Sequence, residues 1–180
     1  MFDRCPKCNA RVQPVPFILG WDIGGAGATS DASVGTVLDV ASDMVLIVEQ
    51  RRFAGLSFPL LQKEIEKMAF QYAPAPCVIE MSGIGQSVAG NLEIPTQRVV
   101  PFWTTERSKA RIIGNIVLAL EQGTLKFDHD ENPQLAKELR GYQQPDTYVV
   151  QDHIMSLAVT LGCAGEAYVR PGRVLGIFNA

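Results

Sequence analysis

The sequence predicts an α/β domain built on a mixed five-stranded sheet, three antiparallel strands followed by two parallel ones, with helices on its flanks. Three observations predict it. Three short apolar runs follow one another before any helical spacing appears. Helix-like and strand-like segments then alternate, as parallel crossovers require. From Thr105 onward, apolar residues recur mainly at helical spacing.

The first strand is the bulky run Phe17 to Ile23, closed by Gly24-Gly25-Ala26-Gly27. Along it Asp22 shares a face with Gly20 and Ile18, because strand side chains alternate. Val34 to Val40 and Met44 to Gln50 are the next two strands. The spacer Ala41-Ser42-Asp43 is short enough to force an antiparallel hairpin. Ser57 is placed to cap a helix that tolerates Pro59 in its first turn and carries Leu61, Ile65, Met68 and Tyr72 on one face. Pro74 and Pro76 end it, and Cys77 to Met81 make an apolar strand interrupted by Glu80. A tight turn at Ser82-Gly83-Ile84-Gly85 leads to a short helix through Leu92 and a fifth strand near Arg98 to Phe102. A long helix from about Thr105 to Gln122 points Ile112, Ile113, Ile116, Val117 and Leu120 at the core, with Gly123 as its stop. Helices over Asn132 to Tyr142 and Asp152 to Cys163 complete the order. The second carries the stripe Ile154, Leu157, Ala158 and Leu161.

Bulk properties fit one domain of 180 residues with 47% hydrophobic content. The expected division is a tail over 1–16, the domain over 17–164 and a second tail over 165–180. A net charge of −3 argues against a free-standing nucleic-acid binder, which usually carries a basic surface. Local clusters remain: Arg98, Arg107, Lys109 and Arg111 fall close together, and Arg51 adjoins Arg52. Such clusters serve either a polyanion or a solvated helix face. No signal sequence is visible and no apolar stretch approaches the roughly 20 residues that span a bilayer, so the chain reads as soluble and cytoplasmic, without a membrane partner. Gln13-Pro14-Val15-Pro16 reads as a stiff linker. Before it, Cys5-Pro6-Lys7-Cys8 looks like one knuckle of a zinc ribbon, but no second pair completes four ligands, so a remnant or tail is the competing reading. Cys77 and Cys163 lie in apolar surroundings and read as small core residues.

Asp22, Glu80 and Asp152 each stand where an apolar element starts or stops. Carboxylates are costly there unless something cationic meets them. Brought together, they would raise one another's pKa values unless divalent cations sat between them. Each has a plainer alternative: Asp152 as a helix cap, Glu80 as a solvent-facing strand end. Asp22 has the weakest alternative, because so apolar a strand offers its carboxylate no water. Asp31 is either a peripheral ligand or a turn residue, and Asp128-His129-Asp130, ahead of Asn132-Pro133, reads as a turn.

The element order, with acids on the first strand, the fourth strand and a late helix, resembles the ribonuclease H-like fold. Within that superfamily the chain resembles the nuclease domain of the tailed-phage terminase large subunit, which packages and cuts viral DNA. The residues that carry the likeness are Gly20-Trp21-Asp22-Ile23-Gly24 with Asp31 beyond, and Val78-Ile79-Glu80-Met81-Ser82-Gly83-Ile84-Gly85. They continue through Thr105 to Phe127, with Lys109 and the ending Glu121-Gln122-Gly123-Thr124-Leu125, then Leu135-Ala136-Lys137-Glu138-Leu139. They close with Gln151-Asp152-His153-Ile154-Met155-Ser156-Leu157-Ala158. Two departures stand out. The late motif commonly reads His-Asp-Asp, whereas here His153 takes the place of a possible fourth acid. No Gly-x-x-x-x-Gly-Lys-Ser/Thr motif of an ATPase motor occurs, so the chain reads as the nuclease domain alone.

The resemblance implies a metal-dependent endonuclease acting on double-stranded DNA, with an ATPase motor, a small terminase subunit and a portal as its family's partners. It implies two divalent cations, Mg²⁺ or Mn²⁺, with Asp22 between them, Glu80 holding one and Asp152 the other. Gly20, Gly24 and Gly83 are then expected to leave room for a DNA backbone. Lys109, Arg107 and Arg111 are the candidate DNA contacts, Lys109 serving either a phosphate or the solvent. His153 would touch a metal, the scissile phosphate or nothing, and because imidazole suits Mg²⁺ poorly a place beside the metals is favoured. Two rivals remain. A RuvC-type Holliday-junction resolvase shares fold, metals and a similar acidic set. Leu19 to Gly25 is also similar to the first phosphate loop of sugar kinases and actin-like ATPases, although 180 residues cannot supply the two domains those proteins need.

Overall fold

In the computed structural model, residues 16–25, 31–143 and 150–167 are described. The Cys5/Cys8 knuckle and most of both expected tails lie outside them. Strands β1 (Phe17–Asp22), β2 (Ser33–Asp39) and β3 (Val45–Phe53) form an antiparallel meander. Helix α1 (Phe58–Gln71) crosses to β4 (Cys77–Glu80), which lies parallel to β1, and α2 (Gly85–Ala89) leads to β5 (Val99–Phe102), parallel to β4. Helix α3 (Glu106–Glu121), a short strand β6 (Leu125–Lys126), α4 (Pro133–Gly141) and α5 (Asp152–Ala167) follow.

The sheet order is β5-β4-β1-β2-β3-β6, so there are six strands rather than the five expected. The sixth was hidden by its length: two residues pairing in parallel with β3 show no alternation. β3 also runs past Gln50 to Phe53. Arg51-Arg52 lies beyond the expected end of the strand because of its polarity, yet the ladder to β2 carries it, with Ser33 opposite Phe53.

Each face of the sheet is covered by its own layer. On one side Leu61, Ile65 and Met68 of α1 pack on Leu19, Trp21, Val37, Cys77 and Ile79. On the other, α5 lies across the sheet beneath α3 and α4, and its residues 152–164 are all buried. Burying one Ile or Leu completely contributes about 1.5–3 kcal/mol, and Ile154, Leu157 and Leu161 do so together with Leu38, Ile112 and Ile116. The stripe of α3 is Ile112, Ile113, Ile116 and Ala119; Val117 is 47% exposed, contrary to expectation, because the helix turns it away from α5. Thr105 and Ser108 close a capping box at the start of α3, and Gly123 ends it at φ +68°. Ser57 occupies the cap position of α1 without a side-chain hydrogen bond. Helix α5 continues to Ala167, past the boundary at 164. Cys77 and Cys163 are buried thiols, as expected, and burial pushes Cys77 up to about 12.

Candidate active site

Alternation along β1 decides which of its side chains can meet α5. Leu19 and Trp21 face α1, while Ile18 packs with Val159 and Cys163 of α5. Gly20 lies on that same face, where a Cβ would overlap the Thr160 hydroxyl, so the missing side chain is what lets helix and strand approach. Asp22 is the next residue on this face, at the carboxyl end of the strand. β4 runs parallel with Trp21 opposite Ile79, and one further step sets Asp22 beside Glu80 at the end of the neighbouring strand.

Glu80 is 6% exposed and ends its strand against a turn that folds back on it. One carboxylate oxygen, Oε2, accepts from the Ser82 amide at 2.9 Å. The other, Oε1, is buried with no hydrogen-bond partner. A Cβ on Gly85 would overlap the Glu80 carbonyl oxygen, and Gly83 turns the chain at φ +58°. The third acid, Asp152, is the first residue of α5 and 8% exposed. It reaches Arg52 across the sheet: Asp22, Val34 and Arg52 are cross-strand partners in one row, and Arg52 Nη2 donates to Asp152 Oδ2 at 3.4 Å.

Asp22, Glu80 and Asp152 line one cleft of about 850 Å³ with Asp31, Ser82, Gly83, Thr104, Glu106 and Lys109 among its other walls. Burial pushes the Asp22 carboxyl up to about 7, helped by the charges of Glu80 and Asp152 and opposed by Lys109. Burial also raises Asp152 above the usual carboxylate range; the Arg52 guanidinium works against it, while Glu138 and Asp31 add to it. These are the signs of like charges crowded into a dry corner.

Lys109 and the exposed Asp31 therefore belong to the cleft, whereas Arg107 and Arg111 are exposed on α3 and outside its lining. His153 points elsewhere: Nδ1 donates to Glu138 Oε1 at 2.8 Å in the interior, and His153 is not part of the cleft wall. Of the three glycines expected to admit DNA, Gly83 has open space around it, but Gly20 is filled by α5 and Gly24 by the backbone of Asp31 and Ala32. Asp128 forms the turn expected of it, its Oδ1 accepting from the amides of Asp130 and Glu131. Arg52 and Glu138 bond Asp152 and the residue after it from outside the cleft lining; the pair Arg51-Arg52 marks a basic spot in the sequence, but nothing in the spacing of α4 marks Glu138.

The donor set suits a hard, oxygen-seeking divalent cation: three carboxylates, one with an unsatisfied buried oxygen, and repulsion that a cation would relieve. No three His, Cys, Asp or Glu side chains among the described residues close around a common point as they stand. An open set is compatible with Mg²⁺, which keeps several waters and uses only one or two carboxylates.

The chain matches a family model described as "Terminase RNaseH-like domain" over residues 19–155. Among solved structures it is similar to the large terminase nuclease of thermophilic phage G20c with bound zinc, at 24% identity and TM-score 0.67 over 81% of this chain and 80% of that one. The same nuclease is known with cobalt and with magnesium. The large terminase nuclease domain of Thermus phage P74-26 matches at 20% identity and TM-score 0.65, covering 86% of this chain and 83% of that one. The fowlpox virus Holliday junction resolvase matches at 14% identity and TM-score 0.51, over 82% and 96% of the two chains. No curated protein sequence matches the chain. With the ribonuclease H-like sheet, the convergence of β1, β4 and α5 on one cleft, and a family match over most of its length, the chain belongs to the family of terminase ribonuclease H-like domains.

Proposed function

We propose that this protein is a metal-dependent endonuclease that hydrolyses phosphodiester bonds of duplex DNA, the cutting part of a phage packaging machine. The observation that carries the reading is the cleft itself. Three acids from two strands and a helix line it together, one with an orphaned oxygen and one with its pKa pushed up to about 7. Two divalent cations, Mg²⁺ or Mn²⁺, would supply an activated water and relief of charge on the leaving oxygen. Asp22, between its two acidic neighbours, is assigned to both ions, Glu80 to one and Asp152 to the other. Lys109 on the cleft wall supplies positive charge for a phosphate. The open turn at Gly83 leaves one wall free of side chain where a nucleic-acid backbone can approach. Asp31 stays peripheral, acting on Asp22 and Asp152 through its charge. The ATPase motor, small subunit and portal of the family are the setting in which such a domain works.

Plasmid cleavage with Mg²⁺, Mn²⁺ or EDTA, comparing the parent with Asp22→Asn, tests the reading. Cutting that survives the substitution, or proceeds in EDTA, sinks it. A RuvC-type resolvase is the competing reading, favoured by the likeness to a viral junction resolvase. Preference for a four-way junction over a linear duplex would decide for the resolvase.

A further inference from the structure

Among the three acids, Asp152 alone stands on a helix end. Arg52 and Gln50 of β3 each reach that end with one bond, at 3.4 and 3.2 Å, but the main hold on its first turn is Glu138 of α4. The Glu138 carboxylate is 4% exposed and accepts three bonds from the start of α5. The His153 amide donates to Oε2 at 2.9 Å, the Ile154 amide to Oε2 at 3.1 Å, and His153 Nδ1 to Oε1 at 2.8 Å. An ionised carboxylate can only accept, so Nδ1 carries the proton in this pair. Gln134 Nε2 adds a fourth bond, to Oε1 at 3.3 Å.

First-turn amides of a helix lack intrahelical acceptors, and a side chain of the local sequence usually caps them. Here the cap comes from a different helix, 15 residues back, and it grips the two residues that follow Asp152. Glu138 also costs something where it stands, since its charge is one of those raising the Asp152 pKa.

We infer that Glu138, with His153 as its clamp, is a positioning residue that sets where Asp152 presents its carboxylate to a divalent cation. This rests on the proposed metal-dependent function. Glu138 lies outside the cleft wall. It acts through the first turn of α5, as outer-layer partners of metal ligands do, and losing such partners typically weakens metal binding 10- to 100-fold.

The test is Mn²⁺ binding by calorimetry on the full chain, comparing the parent with Glu138→Ala, Glu138→Gln and Leu135→Ala, beside the Mn²⁺ concentration giving half-maximal plasmid cleavage. Leu135 is fully buried on the same helix and outside the clamp, so it reports general loosening of α4. Glu138→Ala is expected to weaken Mn²⁺ binding and raise the half-maximal concentration about 10-fold, with KM for DNA little changed. Glu138→Gln keeps an acceptor oxygen and falls between it and the parent; it carries the test if the alanine variant does not fold. Unchanged Mn²⁺ binding in the folded Glu138 variants, or equal weakening in Leu135→Ala, overturns the inference while leaving the metal-dependent reading intact. A parent chain that binds no Mn²⁺ overturns both.

Discussion

Asp22 and Glu80 stand at the ends of neighbouring parallel strands, whereas Asp152 stands on the first turn of a helix, and the three are held by unlike means. For the strand pair, backbone register does the positioning: Trp21 opposite Ile79 leaves the next residues side by side, whatever their side chains are. For the helix, position depends on side chains brought from far along the chain. Glu138 grips the turn after Asp152, Gln50 Nε2 donates to the His153 carbonyl at 3.2 Å, and Ser156 Oγ and Thr36 Oγ1 lie 2.7 Å apart beneath it. The strand-borne half is placed by backbone pairing. The helix-borne half is placed by side chains, which substitutions can remove.

The contrast is broken most severely at Asp22. Asp22→Asn should lower metal-dependent plasmid cleavage by roughly 100- to 1000-fold, the scale of losing one preorganised electrostatic group, with the fold intact by circular dichroism. Retained cleavage would mean that the strand half is not the chemical centre.

The same carboxyl makes stability depend on pH. Its pKa rises from 3.8 in the unfolded chain to about 7 when folded, so the native state binds the extra proton between those values. Stability is therefore fully present below pH 3.8 and falls as pH rises through 7, by up to about 4 kcal/mol. Burial of Asp152 acts in the same direction. Thermal unfolding in EDTA at pH 5 and pH 8 should show the loss in the parent and a much smaller one in Asp22→Asn. Added Mn²⁺ should restore stability at pH 8 by binding the folded state.

At Gly20 strand and helix halves meet. Gly20→Ala puts a methyl group into Thr160 and its backbone, which α5 can relieve only by moving away. A cost of about 1–3 kcal/mol is expected from such overpacking, readable by urea denaturation. Weaker Mn²⁺ binding should accompany it if α5 carries Asp152 along. The mildest change is Arg52→Ala. Its pair with Asp152 is long, single and 43% exposed on the arginine side, so stability should change by under about 1 kcal/mol and less still in high salt.

How far the sequence could be read follows the same division. Asp22 and Glu80 were legible because a carboxylate in an apolar strand contradicts its surroundings, and the strands around them could be recognised by period. Asp152 was legible as the opening of an apolar helix. Its supports were not: Glu138 looks like any glutamate on an amphipathic helix, and its burial depends on α5 arriving 15 residues later. The partner of His153 was hidden for the same reason, since its neighbour in sequence is a cleft acid and its neighbour in space is Glu138. At Gly20 and Gly24 the sequence shows that room is needed but not for whom, and Thr160 and the backbone of Asp31 and Ala32 fill it instead of DNA.

Sequence alone therefore determined the class of fold, the order of its longer elements and the choice of three candidate acids, because period and misplaced charge are local properties. Tertiary structure decided the sixth strand, the inward face of α3, the exclusion of Arg107 and Arg111 from the cleft, and the clamp beneath Asp152. Each of these depends on which surfaces meet, and hydrogen bonds and burial between residues as distant as Arg52 and Asp152 exist only once the sheet has been covered by α5.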